Sequence, residues 1–204
     1  MTSANVALER LREGNRRFAA GEINAESLAR RVHQVGMSGG QSPIAISLAW
    51  SDSRVPVELV FDQGFGDLFV IRVAGNVVAP SQIGSIEFAA SQFGTQLVVV
   101  LGHSNCGAVT AALKELALEQ TVRSPNLRAI VDRVRPSVEP ILDLHHDSDE
   151  ETLTAAAVRA NIRASVEKLA DGSRILGKLI DEGSLTIIGA EYSIETGRVE
   201  FLDA

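Results

Sequence analysis

At 204 residues, with 45% hydrophobic content and a formal net charge of -7, the chain is long enough for one domain around a substantial core. The negative balance argues against nucleic acid or an anionic membrane surface as the main partner, and the single cysteine excludes an intrachain disulfide, in keeping with a reducing, cytoplasmic setting. No apolar run approaches the length of a bilayer span, and the opening stretch MTSANVALERLREGNRRF lacks the apolar centre of a secretory signal.

Val6, Leu8, Leu11 and Phe18 recur near helical spacing with charges between them, which predicts an amphipathic helix over 4–19 ending near Gly21. Residues 22–43 read as a helix and then a glycine-rich loop, Gly36 to Gly40. Ile44 to Ala49 is a short, buried strand bounded by Pro43 and by Ser51 and Asp52. It delivers Trp50-Ser51-Asp52-Ser53-Arg54 to its C-terminal end, the end at which open α/β sheets bind ligands. Val55 to Phe61 then reads as a short helix, Gln63 to Gly66 as a turn and Leu68–Ala74 as a strand. Ser85 to Phe93 reads as a helix closed by Gly94.

Leu97–Leu101 is a second fully apolar strand, ending in Gly102-His103-Ser104-Asn105-Cys106-Gly107, with a helix over Ala108–Glu119. Residues 122–150 are punctuated by Pro125, Pro136 and Pro140 and carry no predicted helix. The acidic segment His145–Glu151 that follows reads as a solvated loop rather than a metal site. Val158, Ile162, Val166 and Leu169 mark a long helix, and Ser173 opens another that ends at Gly183. Leu185–Ala190 is a buried strand, and Ser193–Phe201 a hairpin that turns at Thr196-Gly197 and leaves its last strand at an edge. The alternation predicts an α/β fold: a mostly parallel sheet of about four strands plus an antiparallel edge strand, flanked by helices.

Two strand ends thus bring together an acid, an arginine, a histidine and a thiol. Asp52 and Arg54 read as a local ion pair, as a cap in which Ser51, Asp52 or Ser53 opens the next helix, or as a working pair. His103 and Cys106 read as satisfied core groups, or as a thiolate and an imidazole converging on one ion from a glycine-flanked turn. Trp50 stands beside them, and an indole has no lone pair to give a metal.

The phrases SDSRVP (51–56) and VLGHSNCGA (100–108), with LREGNRRF at Leu11–Phe18 and the terminal phrase at Gly189–Gly197, resemble the β-class carbonic anhydrases. That family carries Cys-x-Asp-x-Arg at one strand end and His-x-x-Cys at the next. The chain matches at Asp52, Arg54, His103 and Cys106, and has Trp50 where the family has a zinc-ligating cysteine. The resemblance implies one domain over 1–204 with an N-terminal helical arm over 1–35, and a homodimer or dimer of dimers with its site near the subunit interface. It implies Zn(2+) as cofactor and reversible hydration of CO2 to bicarbonate. In the family the aspartate either pairs with the arginine or swings onto the metal.

With Trp50 in place, Asp52, His103 and Cys106 remain as metal ligands, with Asp52 and Arg54 as the catalytic pair. Three readings follow: a zinc lyase of impaired or altered activity; a metal-free pseudoenzyme binding bicarbonate or a similar small anion through Arg54, or serving as an oligomeric partner; and a metal-free hydrolase with Cys106 as nucleophile and His103 as base. Gln63 and Phe88 are assigned no role.

Overall fold

The computed structural model describes residues 2–23, 41–54, 56–118, 124–145 and 147–202. The helix and glycine-rich loop expected within 22–43 lie almost wholly outside these residues. The elements in chain order are α1 (Ala4–Ala19), β1 (Ala45–Ala49), α2 (Val57–Val60), β2 (Leu68–Arg72), a 3-10 turn (Ala74–Asn76), α3 (Pro80–Phe93), β3 (Leu97–His103), α4 (Gly107–Leu118), α5 (Pro125–Leu144), α6 (Glu150–Asp171), α7 (Arg174–Asp181), β4 (Thr186–Tyr192) and β5 (Val199–Phe201).

The strands form one sheet in the order β2-β1-β3-β4-β5, parallel throughout except for β5, which runs antiparallel on β4. This is the predicted architecture. Both faces of the sheet are covered, which is why β1 and β3 are buried along their whole length. Ile46, Leu48, Val98 and Val100 face a core shared with α3 to α7. Ala45, Ala49, Val99 and Leu101 face a second core under α1 and α2, which contains Trp50 and Tyr192. Helix α6 lies directly on β3 and β4 because Gly102 and Gly189 leave room for it: a Cβ on either would come within 2.6 to 2.7 Å of the Ile162 side chain.

Three expectations are corrected. The proline-punctuated stretch is helical: α5 starts on an N-cap, Ser124, with Pro125 in its first turn, and continues through Pro136 and Pro140. An interior proline removes an N–H and crowds the carbonyl four residues back. Here both prolines and Asp132 are exposed, so water can serve the freed carbonyls while Val131, Val134 and Val138 stay buried on the opposite face. Helix α3 begins at Pro80 rather than Ser85, proline being well suited to a first helical turn. Finally, β2 stops at Arg72 and β3 runs on to His103, so the histidine is a strand residue held in register with Tyr192.

Candidate active site around Trp50

Trp50, Arg72 and His103 lie at the carboxyl ends of neighbouring strands β1, β2 and β3, and Tyr192 ends β4 beside them. The chain leaves β1 with Trp50 turned into the core, 1% exposed. Its indole packs on the His103 ring at 4.9 Å between centroids, tilted by 53°, and stacks on Tyr192 at 5.7 Å and 22°. These separations fit favourable aromatic packing. The indole Nε1–H is buried and finds no acceptor among the described residues. Buried tryptophan N–H groups normally find an acceptor, so this one is held in by the packing of the ring rather than by its polar edge.

Asp52 and Arg54 form the local ion pair. The arginine donates from Nε to one carboxylate oxygen at 2.9 Å and from Nη2 to the other at 2.6 Å, and its backbone N–H adds a third bond at 2.9 Å. These hydrogen bonds hold the Asp52 carboxyl below the usual carboxylate range. The capping alternative is corrected: α2 has Pro56 as its N-cap with no side-chain cap bond, and the Asp52 carboxylate turns back to the Arg54 amide instead.

His103 and Cys106 are each 3% exposed. The imidazole Nδ1 lies 2.9 Å from the Ser104 carbonyl oxygen, which can only accept, so Nδ1 carries the proton and Nε2 keeps the lone pair. Burial pushes the His103 pKa down, so the ring is neutral near pH 7. Burial pushes the Cys106 thiol up, against the pull of backbone N–H groups at Val109, Ala108 and Gly75. The Asp52 charge pulls the His103 pKa up and pushes the Cys106 thiol up further, both as lesser effects than burial.

Two residues with a part in this arrangement were not picked out from the sequence. Arg72 donates from Nε to the Trp50 carbonyl at 3.1 Å and from Nη2 to the Asp52 carbonyl at 2.6 Å, pinning the loop that carries both side chains. It pairs with Ala49 in the parallel ladder, one residue before Trp50, a register that the folded sheet sets and no local sequence pattern marks. Tyr192, opposite His103, supplies the second aromatic wall.

A Cys2His zinc site needs two thiolates, an imidazole and an open position. Position 50 instead presents a large buried ring whose one polar atom is a hydrogen-bond donor, which cannot face a cation. Asp52 spends both oxygens on Arg54. Among the described residues, no group of three or more His, Cys, Asp or Glu side chains is gathered so as to hold a metal ion. As arranged, the residues do not fit zinc.

Comparison with known proteins gives a consistent picture. The carbonic anhydrase family model matches residues 45–199. The chain is 37% identical over 202 residues to carbonic anhydrase 2 of Mycobacterium tuberculosis, covering 99% of this chain and 94% of that protein. It is 36% identical over 197 residues to the carbonic anhydrase of Mycolicibacterium smegmatis, covering 96% and 91%. Among solved structures it is similar to the β-carbonic anhydrase CcaA, with a TM-score of 0.75, 28% identity and coverage of 97% of this chain and 92% of that one.

Proposed function

The chain belongs to the β-class carbonic anhydrase family, and we propose that it is a member in which zinc-dependent hydration of CO2 is lost or strongly impaired. In this reading Trp50 takes the space and the ligand position that the metal requires. What remains is a pocket for bicarbonate or a similar small anion, met by Arg54 without a metal. The observation that carries the reading is the Trp50 indole, 1% exposed and packed on His103 at 4.9 Å. The Arg54 side chain is 59% exposed, so the part of its guanidinium not spent on Asp52 can meet an anion from solvent. The thiol gives the hydrolase reading no support, because burial keeps Cys106 protonated rather than activated.

A second reading keeps a weak metal site built from Asp52, His103 and Cys106. It uses the three metal-ligating residue types that the two strand ends supply, and it requires Asp52 to leave Arg54. Stopped-flow CO2 hydration with and without a chelator separates the two. Hydration at the uncatalysed rate, unchanged by the chelator, supports the first reading; chelator-sensitive catalysis supports the second.

The pocket's context completes the proposal. The chain works as a single domain with an N-terminal helical arm and assembles as a homodimer or dimer of dimers. A pair of tetrameric β-carbonic anhydrases from Sordaria macrospora shares the fold, at 23% identity and a TM-score of 0.72. Sedimentation velocity measures the state directly. A cytoplasmic location accords with the single cysteine; among the described residues no helix is long and apolar enough to cross a membrane.

A further inference from the structure

We infer that the hollow between α5 and α6 binds one small, doubly charged oxyanion, sulfate or inorganic phosphate, through Arg133, Lys168 and the hydroxyl of Ser165. The site is separate from the anion pocket proposed at Arg54: none of Trp50, Asp52, Arg54 and His103 lines it.

Each helix supplies one stripe of side chains. Arg133 and Ser137 stand one turn apart on α5, and Asn161, Ser165 and Lys168 follow at helical spacing on α6, so each set shares a face. With Val78 they enclose a cavity of about 150 Å³. That is the liquid volume of about five water molecules, well under the roughly 300 Å³ at which pockets for drug-sized ligands begin. It suits a small ion with some water and excludes a nucleotide.

No acidic side chain among the described residues lines the cavity. Glu167, next to Lys168, lines a different hollow against β4. Arg133 donates from Nη1 to the Ala129 carbonyl of its own helix, and among the described residues neither cation is in an ion pair. Lys168 lies in the last turn of α6, where a positive charge favours the helix dipole in any case. Arg133 is in the middle of α5, so the dipole does not account for it.

The floor of the cavity is polar and buried, with Asn161 3% exposed and Ser165 6%. Asn161 donates from Nδ2 to the Gly75 carbonyl at 2.9 Å and accepts from Ser137 at 3.4 Å, so it serves as scaffold. Ser165 accepts from Asn76 Nδ2 at 3.4 Å and donates to the Asn76 carbonyl at 3.3 Å, longer than an ordinary O–H bond. A serine hydroxyl rotates, so this one can donate to an anion and still accept from Asn76. One donor at the floor and two cations at the rim then hold the oxyanion by charge-assisted bonds.

The test titrates sodium sulfate and sodium phosphate into the isotopically labelled full chain and follows backbone amide shifts by NMR, with sodium chloride at matched ionic strength as the control. The expected result is saturable one-site binding of both oxyanions, with the largest shifts in 133–137 and 161–168. Arg133→Gln and Lys168→Gln alter exposed side chains, and each should weaken binding about tenfold with the circular dichroism unchanged. Ser165→Ala should weaken it about fivefold, and Arg54→Gln should leave it as it is. Should Ser165→Ala fail to fold, the two exposed variants decide. Shifts that do not saturate, or that chloride reproduces, overturn the inference. So does a folded Ser165→Ala that binds as tightly as the parent, because two surface side chains then suffice. Binding that Arg54→Gln abolishes and the two cation variants leave intact also overturns it, while supporting the anion pocket of the proposed function.

Discussion

Replacing Trp50 with alanine tests whether the indole is packed as part of the core. Emptying a buried tryptophan site costs about 3–5 kcal/mol in lost transfer energy and cavity formation. The two aromatic contacts, to His103 and Tyr192, contribute about 0.5–1.5 kcal/mol each beyond buried area. Against this, the change removes a buried donor without an acceptor, worth about 1–3 kcal/mol. Together these leave Trp50→Ala less stable by about 4 kcal/mol, a fall in melting temperature of about 8–16 °C for a chain of this size.

Trp50→Phe keeps most of the ring packing and deletes the unmatched donor, so it should stay within about 1 kcal/mol of the parent. Urea unfolding followed by circular dichroism at fixed protein concentration measures both changes. Trp50 is the chain's one tryptophan, so its emission in the parent reports this site alone and should be blue-shifted and resistant to acrylamide. A cost below about 1 kcal/mol for Trp50→Ala, or an emission typical of exposed indole, refutes the packing described here.

Other outcomes follow from the same structure. Asn15 is buried and donates to the Val60 and Gly197 carbonyls at 3.1 and 2.9 Å while accepting from the Val199 N–H at 2.8 Å, so it ties α1 to α2 and to the β5 hairpin. Asn15→Ala should cost about 3 kcal/mol in denaturant unfolding, roughly one for each bond lost. Gly14→Ala puts a Cβ against the Phe61 carbonyl oxygen; it should lower stability by about 1–3 kcal/mol or more, with the shift confined to α1 and its contacts in hydrogen exchange. The Asp52 carboxyl has a lower pKa folded than unfolded, so its contribution to stability is complete above about pH 4 and is lost as pH falls below that toward the folded value. Carbon-13 titration should find Asp52 still ionised where ordinary aspartates are protonating, and Arg54→Gln should return it to the ordinary range.

The parallel sheet could be read from the sequence because its strands are unbroken apolar runs, and Ile44 to Ala49 and Leu97 to Leu101 allow no other buried element of that length. The α5 helix could not, because interior prolines signal a break locally. What overrides them is tertiary: Pro136 and Pro140 fall on the solvent side while Val131, Val134 and Val138 are buried. At the site, Asp52, Arg54, His103 and Cys106 stand out by residue type and spacing. Arg72 and Tyr192 act through strand order and register, which bring distant segments beside Trp50. The fate of the indole was equally a matter of packing. Its chemistry excludes it as a ligand, but only the folded chain places it between His103 and Tyr192.

Zinc content per chain tests the central claim most directly, measured by elemental analysis on tag-free protein purified without added metal and again after incubation with zinc and removal of the excess. The account predicts a ratio near zero in both preparations. A ratio near one after zinc addition, with CO2 hydration that disappears on chelation, contradicts it and shows that the chain holds a working metal despite Trp50.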